Sequence, residues 1–125
     1  MIKKHVVKAI SVDKRGKIIP VIEGKVTSVL LIPSKKGAIR ANHYHKKDSH
    51  WVYMISGKMR YTEMKIGRAN GNKESVILRG GDMVYTKPMI GHAMEFLEDS
   101  VFLALTTKKR DQASYEHDTV RIQVV

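Results

Sequence analysis

The chain has 125 residues and a mass of 14.2 kDa, the size of one domain, and its 42% hydrophobic residues supply one buried core and argue against intrinsic disorder. It has no cysteine, which excludes a disulfide scaffold, a thiolate zinc site and a cysteine nucleophile, so any metal must be held by His, Asp or Glu. With 23 Lys and Arg against 12 Asp and Glu the formal net charge is +11, which points to acidic partners. Residues 1–87 carry 19 basic and 6 acidic groups, and residues 88–125 carry 4 and 6. No block of five like charges occurs and aromatics are 6%, so the interleaved basic and aromatic pattern of a nucleic-acid platform is missing. A solvated basic surface, or one that steers an anionic small molecule, is the expectation. The longest apolar runs, Val29 to Ile32 and Val101 to Leu105, are far shorter than the ~20 residues of a spanning helix. The first residues lack the apolar stretch of a signal peptide, so no membrane partner and a cytoplasmic location are expected.

Short β-branched and apolar runs recur between Gly, Pro, Asn and Asp punctuation, the pattern of an all-β barrel or sandwich. In chain order the expected strands cover 5–10, 17–22, 26–32, 38–45, 50–56, 58–66, 75–79, 82–86, 92–96, 100–106 and 119–124. Ser56-Gly57 reads as a tight hairpin between two alternating strands, and Asn70-Gly71 supplies residues that tolerate positive φ at a hairpin tip. The polar stretch 107–117 is the one helical candidate, worth one or two turns. No internal repeat is visible.

Four of the six histidines fall in two short segments. His43 and His45 are two apart on one strand, so alternation aims both rings at the same face. After a polar loop His50 opens the next strand, where three imidazoles can converge across a hairpin, and His92 in the second segment offers a fourth. Four neutral imidazoles suit Zn, Ni, Cu, Fe or Mn, so a divalent transition metal on His43, His45, His50 and His92 is expected; buried, hydrogen-bonded histidines without metal are the alternative. Asp48, two residues before His50, reads as too far back in the loop to replace it. Alternation places Val52 and Met54 on the face of His50, Met94 and Phe96 on the face of His92, and Met83 with Tyr85, giving an apolar cup lined by these six. Arg40 and Asn42 have the opposite parity to His43 and point inward only where a bulge shifts the register. His5 and His117 read as surface residues.

The two segments resemble the paired motifs of the cupin superfamily, G-x5-H-x-H-x3,4-E-x6-G and G-x5-P-x-G-x2-H-x3-N. Every spacing from Gly37 to Gly57 agrees, with His50 where the family usually has Glu. From Gly81 to His92 the total agrees, although Pro88 comes one place late and Phe96 replaces the Asn. The resemblance implies a double-stranded β-helix, a jelly-roll barrel with little or no helix, as one small RmlC-like cupin domain over residues 1–125. Arg40-Ala41-Asn42-His43-Tyr44-His45-Lys46 further resembles the Arg-Gly-x-His-x-His-Lys stretch of cupins that isomerise or epimerise nucleotide-linked keto-sugars, with Ala41 in place of the Gly. The stretches 88–94, 99–105 and 114–118 look like the end of the sugar 3,4-ketoisomerase branch, which is thought to work without metal.

Three functions follow as expectations. In the first, His43 or His45 removes a proton α to a ketone and Arg40 or a metal stabilises the enolate. In the second, a redox metal held by the four histidines activates dioxygen against an enolisable substrate, as in cupin dioxygenases. In the third, the cup binds a sugar or metabolite without turnover. A barrel of short strands with free edges also suggests a homodimer, paired through Val6 to Ile10 or the tail Val120 to Val125.

Overall fold

The computed structural model describes residues 2–67, 71–109 and 111–125. Its strands are β1 (Lys4–Val6), β2 (Ser11–Asp13), β3 (Gly16–Ile18), β4 (Ser28–Ser34), β5 (Ile39–His45) and β6 (His50–Ser56). They continue as β7 (Lys58–Lys65), β8 (Lys73–Arg79), β9 (Asp82–Thr86), β10 (Ile90–Phe96) and β11 (Ser100–Thr106), followed by helix α1 (Gln112–Asp118) and β12 (Thr119–Arg121). One five-stranded sheet has the order β1-β9-β6-β11-β4 and the other β12-β5-β10-β7-β8, while β2 and β3 pair only with each other. The paired strands are antiparallel throughout. This is the expected cupin jelly roll.

From β4 to β7 successive strands alternate between the sheets, and that corrects two readings of the sequence. Ser56-Gly57 is not a hairpin: β6 pairs with β11 and β9, β7 with β10 and β8, and the short link carries the chain from one sheet to the other. Gly57 is required there, with φ 92°, and a Cβ would collide with the Ser100 hydroxyl and the Asp99 carbonyl. The residues between β5 and β6 likewise cross between sheets, so His50 faces His43 and His45 across the barrel rather than across a hairpin. A true hairpin joins β7 to β8, with Met64 opposite Lys73. The expected tip at Asn70-Gly71 falls partly outside the described residues.

The two inner faces meet in a core that includes Val52, Met54, Met59, Tyr61, Leu78, Val84, Met94, Phe96, Phe102 and Ala104. Phe96 and Phe102 stack at 5.7 Å between the sheets. The helix begins five residues later than expected, where Asp111 caps it by accepting from the Ser114 amide at 2.9 Å. No helix among the described residues is long and apolar enough to cross a membrane.

Candidate functional site

β5 and β10 lie side by side, and their pairing fixes the site. His92 pairs with His43 and Ala93 with Ala41, so Asn42 is an extra residue in β5. Ala41 and Asn42 take up the bulge with φ of 69° and 54°. The parity of the strand changes across it, and Arg40 lines the same cavity as His43 and His45. Ala41 occupies the position where the resembling stretch has Gly, and its left-handed backbone is the physical reason for a glycine there. The Asn42 side chain turns to the C-terminal tail: its Oδ1 accepts from the amides of Val124 and Val125, each at 3.0 Å.

His43, His45 and His92 come from one sheet and His50 from the other, all buried. Ring centroids are 4.6 Å apart for His43 and His45, 4.7 Å for His43 and His92, and 5.1 Å for His50 and His92. His92 Nδ1 sits 3.1 Å from the Ile90 carbonyl, which makes it the protonated nitrogen and keeps a lone pair on Nε2. His45 Nδ1 is 3.2 Å from the Thr119 hydroxyl and 3.8 Å from the Asp118 carboxylate. His43 Nδ1 is 3.4 Å from the Tyr115 hydroxyl. Oxygen partners at Nδ1 on all three rings are the arrangement that fixes ligating or catalytic imidazoles.

A cavity of about 160 Å³ opens on these rings. Leu30, Ile32, Phe102 and Ala104 form its apolar wall, Met94 and Ala41 lie with the histidines, and Tyr115 lines it from α1. Arg40 is held towards β4 by Nε donating to Ser34 Oγ at 2.8 Å. Of the expected lining, Met94 is at the cavity. Val52, Met54 and Phe96 have the inward parity but lie within the fully packed core. Met83 and Tyr85 do not line the cavity: they alternate with Val84, in the core cluster, and Thr86, beside Tyr61, so that Met83 is buried away from the cavity and Tyr85 packs on Trp51 at 4.8 Å. His5 lies on that outer face against Trp51 at 5.4 Å, and His117 is exposed on α1.

Besides the apolar wall of Leu30, Ile32, Phe102 and Ala104, the structure adds two polar residues, Tyr115 and Asp48, that the sequence reading did not place in the site. Tyr115 belongs to the short helix, where polar residues gave no periodic signal. Asp48 is 3% exposed, and its carboxylate lies within 4.8 Å of ring nitrogens of both His45 and His50, so it is not too far back. The reason is the crossover. Asp118 accepts from the Lys47 and Asp48 amides at 2.9 and 3.0 Å and folds the loop inward. Among the described residues the metal-type donors thus fall into two buried triads sharing His45: His43, His45 and His92, and His45, Asp48 and His50. Their N and O atoms fit a divalent transition metal.

Next to His92, the buried Tyr61 hydroxyl donates to Glu63 Oε2 at 2.8 Å and also meets Thr86 Oγ1. Burial, more than any neighbouring charge, pushes the Glu63 carboxyl up from its ordinary value and the Tyr61 phenol well above its own.

No family model matches the chain. Oxalate decarboxylase OxdC of Bacillus subtilis is 30% identical over 87 residues, 70% of this chain and 22% of that protein, so the chain spans about a fifth of the relative's length. Nearly all of the chain also superposes on solved structures. The sugar 3,4-ketoisomerase QdtA of Thermoanaerobacterium thermosaccharolyticum, a double variant in complex with TDP, gives a TM-score of 0.77 at 26% identity, covering 96% of this chain and 86% of that one. The chain has the RmlC-like cupin fold. The dTDP-6-deoxy-D-glucose-3,5-epimerase RmlC of Legionella pneumophila, with dTDP-4-keto-L-rhamnose, gives 0.80 at 17% identity over 99% of this cupin and 73% of the epimerase, a likeness of fold.

Proposed function

We propose that this cupin is an isomerase or epimerase acting on a nucleotide-linked keto-sugar. The observation that carries the reading is the pair of adjacent buried imidazoles, His43 and His45, whose rings are 4.6 Å apart beside a small cavity. Moving a proton from the carbon beside a ketone to the carbonyl carbon needs acid–base groups within reach of both carbons. His43 takes the α-proton at Nε2 while Nδ1 rests on Tyr115, which leaves an enediolate. That imidazolium, exchanging its proton with solvent at the open cavity or with His45, returns one to the adjacent carbon, while the hydroxyl hydrogen passes from one enediolate oxygen to the other, so the reaction balances without an oxidant. Arg40 is the cation at the cavity for the enediolate or a phosphate, and the +11 charge attracts a diphosphate substrate. The superposition on a TDP-bound 3,4-ketoisomerase supports the same substrate class.

Incubation with dTDP-4-keto-6-deoxyglucose, followed by NMR, tests this reading. The wild type is expected to convert it to an isomeric keto-sugar, and Tyr115→Phe to lower kcat roughly tenfold with Tm unchanged, because only the hydroxyl behind His43 is lost. No new sugar signals from wild-type protein would reject the reading.

A second reading, favoured by the two donor triads, is that the cup holds a divalent transition metal on His43, His45, His50 and His92 or a subset of them. When bound, such an ion supplies Lewis-acid stabilisation of an enolate oxygen. Oxygen uptake by the metal-loaded protein would move it to the dioxygenases, and ligand binding without turnover to a sensor role. The proposal includes a homodimer, supported by exposed apolar residues on the N-terminal strands.

A further inference from the structure

Asp48 has no place in the proton-transfer reading, yet it is an aspartate only 3% exposed. Burying a carboxylate is costly unless it is paired or hydrogen-bonded. One oxygen, Oδ1, accepts from the Thr107 hydroxyl at 3.2 Å and the Lys108 amide at 3.1 Å, which fixes the group against the start of the segment after β11. Its carboxylate is also within 4.8 Å of ring nitrogens of His45 and His50, and those nitrogens are within 4.8 Å of each other. Ligands about 2.1 Å from one ion in tetrahedral geometry sit about 3.4 Å apart, so closing this triad takes shifts of about an ångström.

We infer that His45, Asp48 and His50 form the divalent-cation site of the cup, with Asp48 supplying the anionic ligand and His43 and His92 outside the coordination sphere. The inference rests on the metal-holding reading above and narrows it to one donor set. Three arguments favour this triad over the all-imidazole one. A carboxylate cancels one unit of a dication's charge, which three neutral imidazoles leave uncompensated inside the barrel. Two imidazoles and a carboxylate are a recurring ligand set for divalent transition metals, with positions left open. His43 is left uncoordinated, so it keeps its lone pair for proton transfer while the charge sits beside it. Asp118 is the positioning residue, because it holds the amides of Lys47 and Asp48 and so the loop that carries the carboxylate.

Cobalt(II) is the probe, titrated into metal-free protein and followed by calorimetry and by its d–d absorption. The wild type is expected to bind one equivalent. Asp48→Asn keeps the Oδ1 acceptor for Thr107 and Lys108 but loses the anionic charge, and should bind at least tenfold more weakly with altered d–d bands. His43→Ala should retain affinity within about threefold. The reverse ranking, with Asp48→Asn binding like wild type and His43→Ala losing the ion, would place cobalt on the all-imidazole triad and overturn the inference alone. Absence of cobalt binding by the wild type would overturn this inference and the metal reading together. X-ray absorption of cobalt-loaded wild-type protein does not depend on any variant folding: two coordinated imidazoles support the triad, and three or four contradict it.

Discussion

Glu63 is 5% exposed and shares its proton-bearing neighbourhood with the Tyr61 hydroxyl, the Thr86 hydroxyl, Glu74 and Lys87. Because burial raises its folded value, the folded protein holds that proton more tightly than the unfolded chain does. Its contribution to stability is therefore full below the ordinary carboxylate range and is lost as pH rises through the raised value. Glu63→Gln keeps an acceptor for Tyr61 and cannot ionise. Melting curves from pH 4 to 8 should show the variant gaining stability relative to wild type as pH rises, and a pH-independent difference would contradict this account. Glu63 also shows what single residues conceal. The histidines were legible, since their spacing along strands survives any detail of packing. Asp48 and Glu63 were not, since an isolated acid reads as surface until tertiary structure buries it.

At the scale of elements, the bulge in β5 does two jobs. It turns Arg40 towards the cavity and directs Asn42 to the tail, where Asn42 Oδ1 accepts from the Val124 and Val125 amides and Nδ2 donates to the Val125 carbonyl at 3.3 Å. The Asn42 carbonyl also accepts from the Ile122 amide at 3.1 Å. Asn42→Ala removes the three side-chain bonds and places a less tolerant residue at φ 54°. At about 1 kcal/mol per net hydrogen bond the loss should be about 2–3 kcal/mol by chemical denaturation, with faster amide exchange at Val124 and Val125. Unchanged exchange there would refute the clamp. Strand positions were readable from alternation and turn residues. Their partners were not, because a glycine turn between two sheets and one within a hairpin have the same local composition, and only long-range pairing separates them. The parity of β9 failed for a related reason: Met83 and Tyr85 are as apolar as Val84, so composition does not say which face is inside.

At the scale of the molecule, β2 and β3 join neither five-stranded sheet, and Ile10, Val12 and Ile18 are 72%, 67% and 60% exposed. A two-stranded ribbon alone in water is marginal, so a second copy of the chain is the proposed cover. In the tail, β12 is the edge strand of its sheet, paired only with β5, and Val124 beyond it is fully buried. Light scattering should give twice the 14.2 kDa chain mass, falling to the chain mass when Val12 and Ile18 are both changed to Asp, and a monomeric wild type would refute the dimer. The central claim is that His43 moves a proton on the carbon beside a ketone. Deuterium wash-in tests it most directly: dTDP-4-keto-6-deoxyglucose is incubated with enzyme in D2O under argon and read by mass spectrometry. Wild-type protein should incorporate one deuterium into recovered sugar, and His43→Asn should slow incorporation at least a hundredfold while still binding the nucleotide. Incorporation by His43→Asn at the wild-type rate, or none by the wild type, would contradict the account.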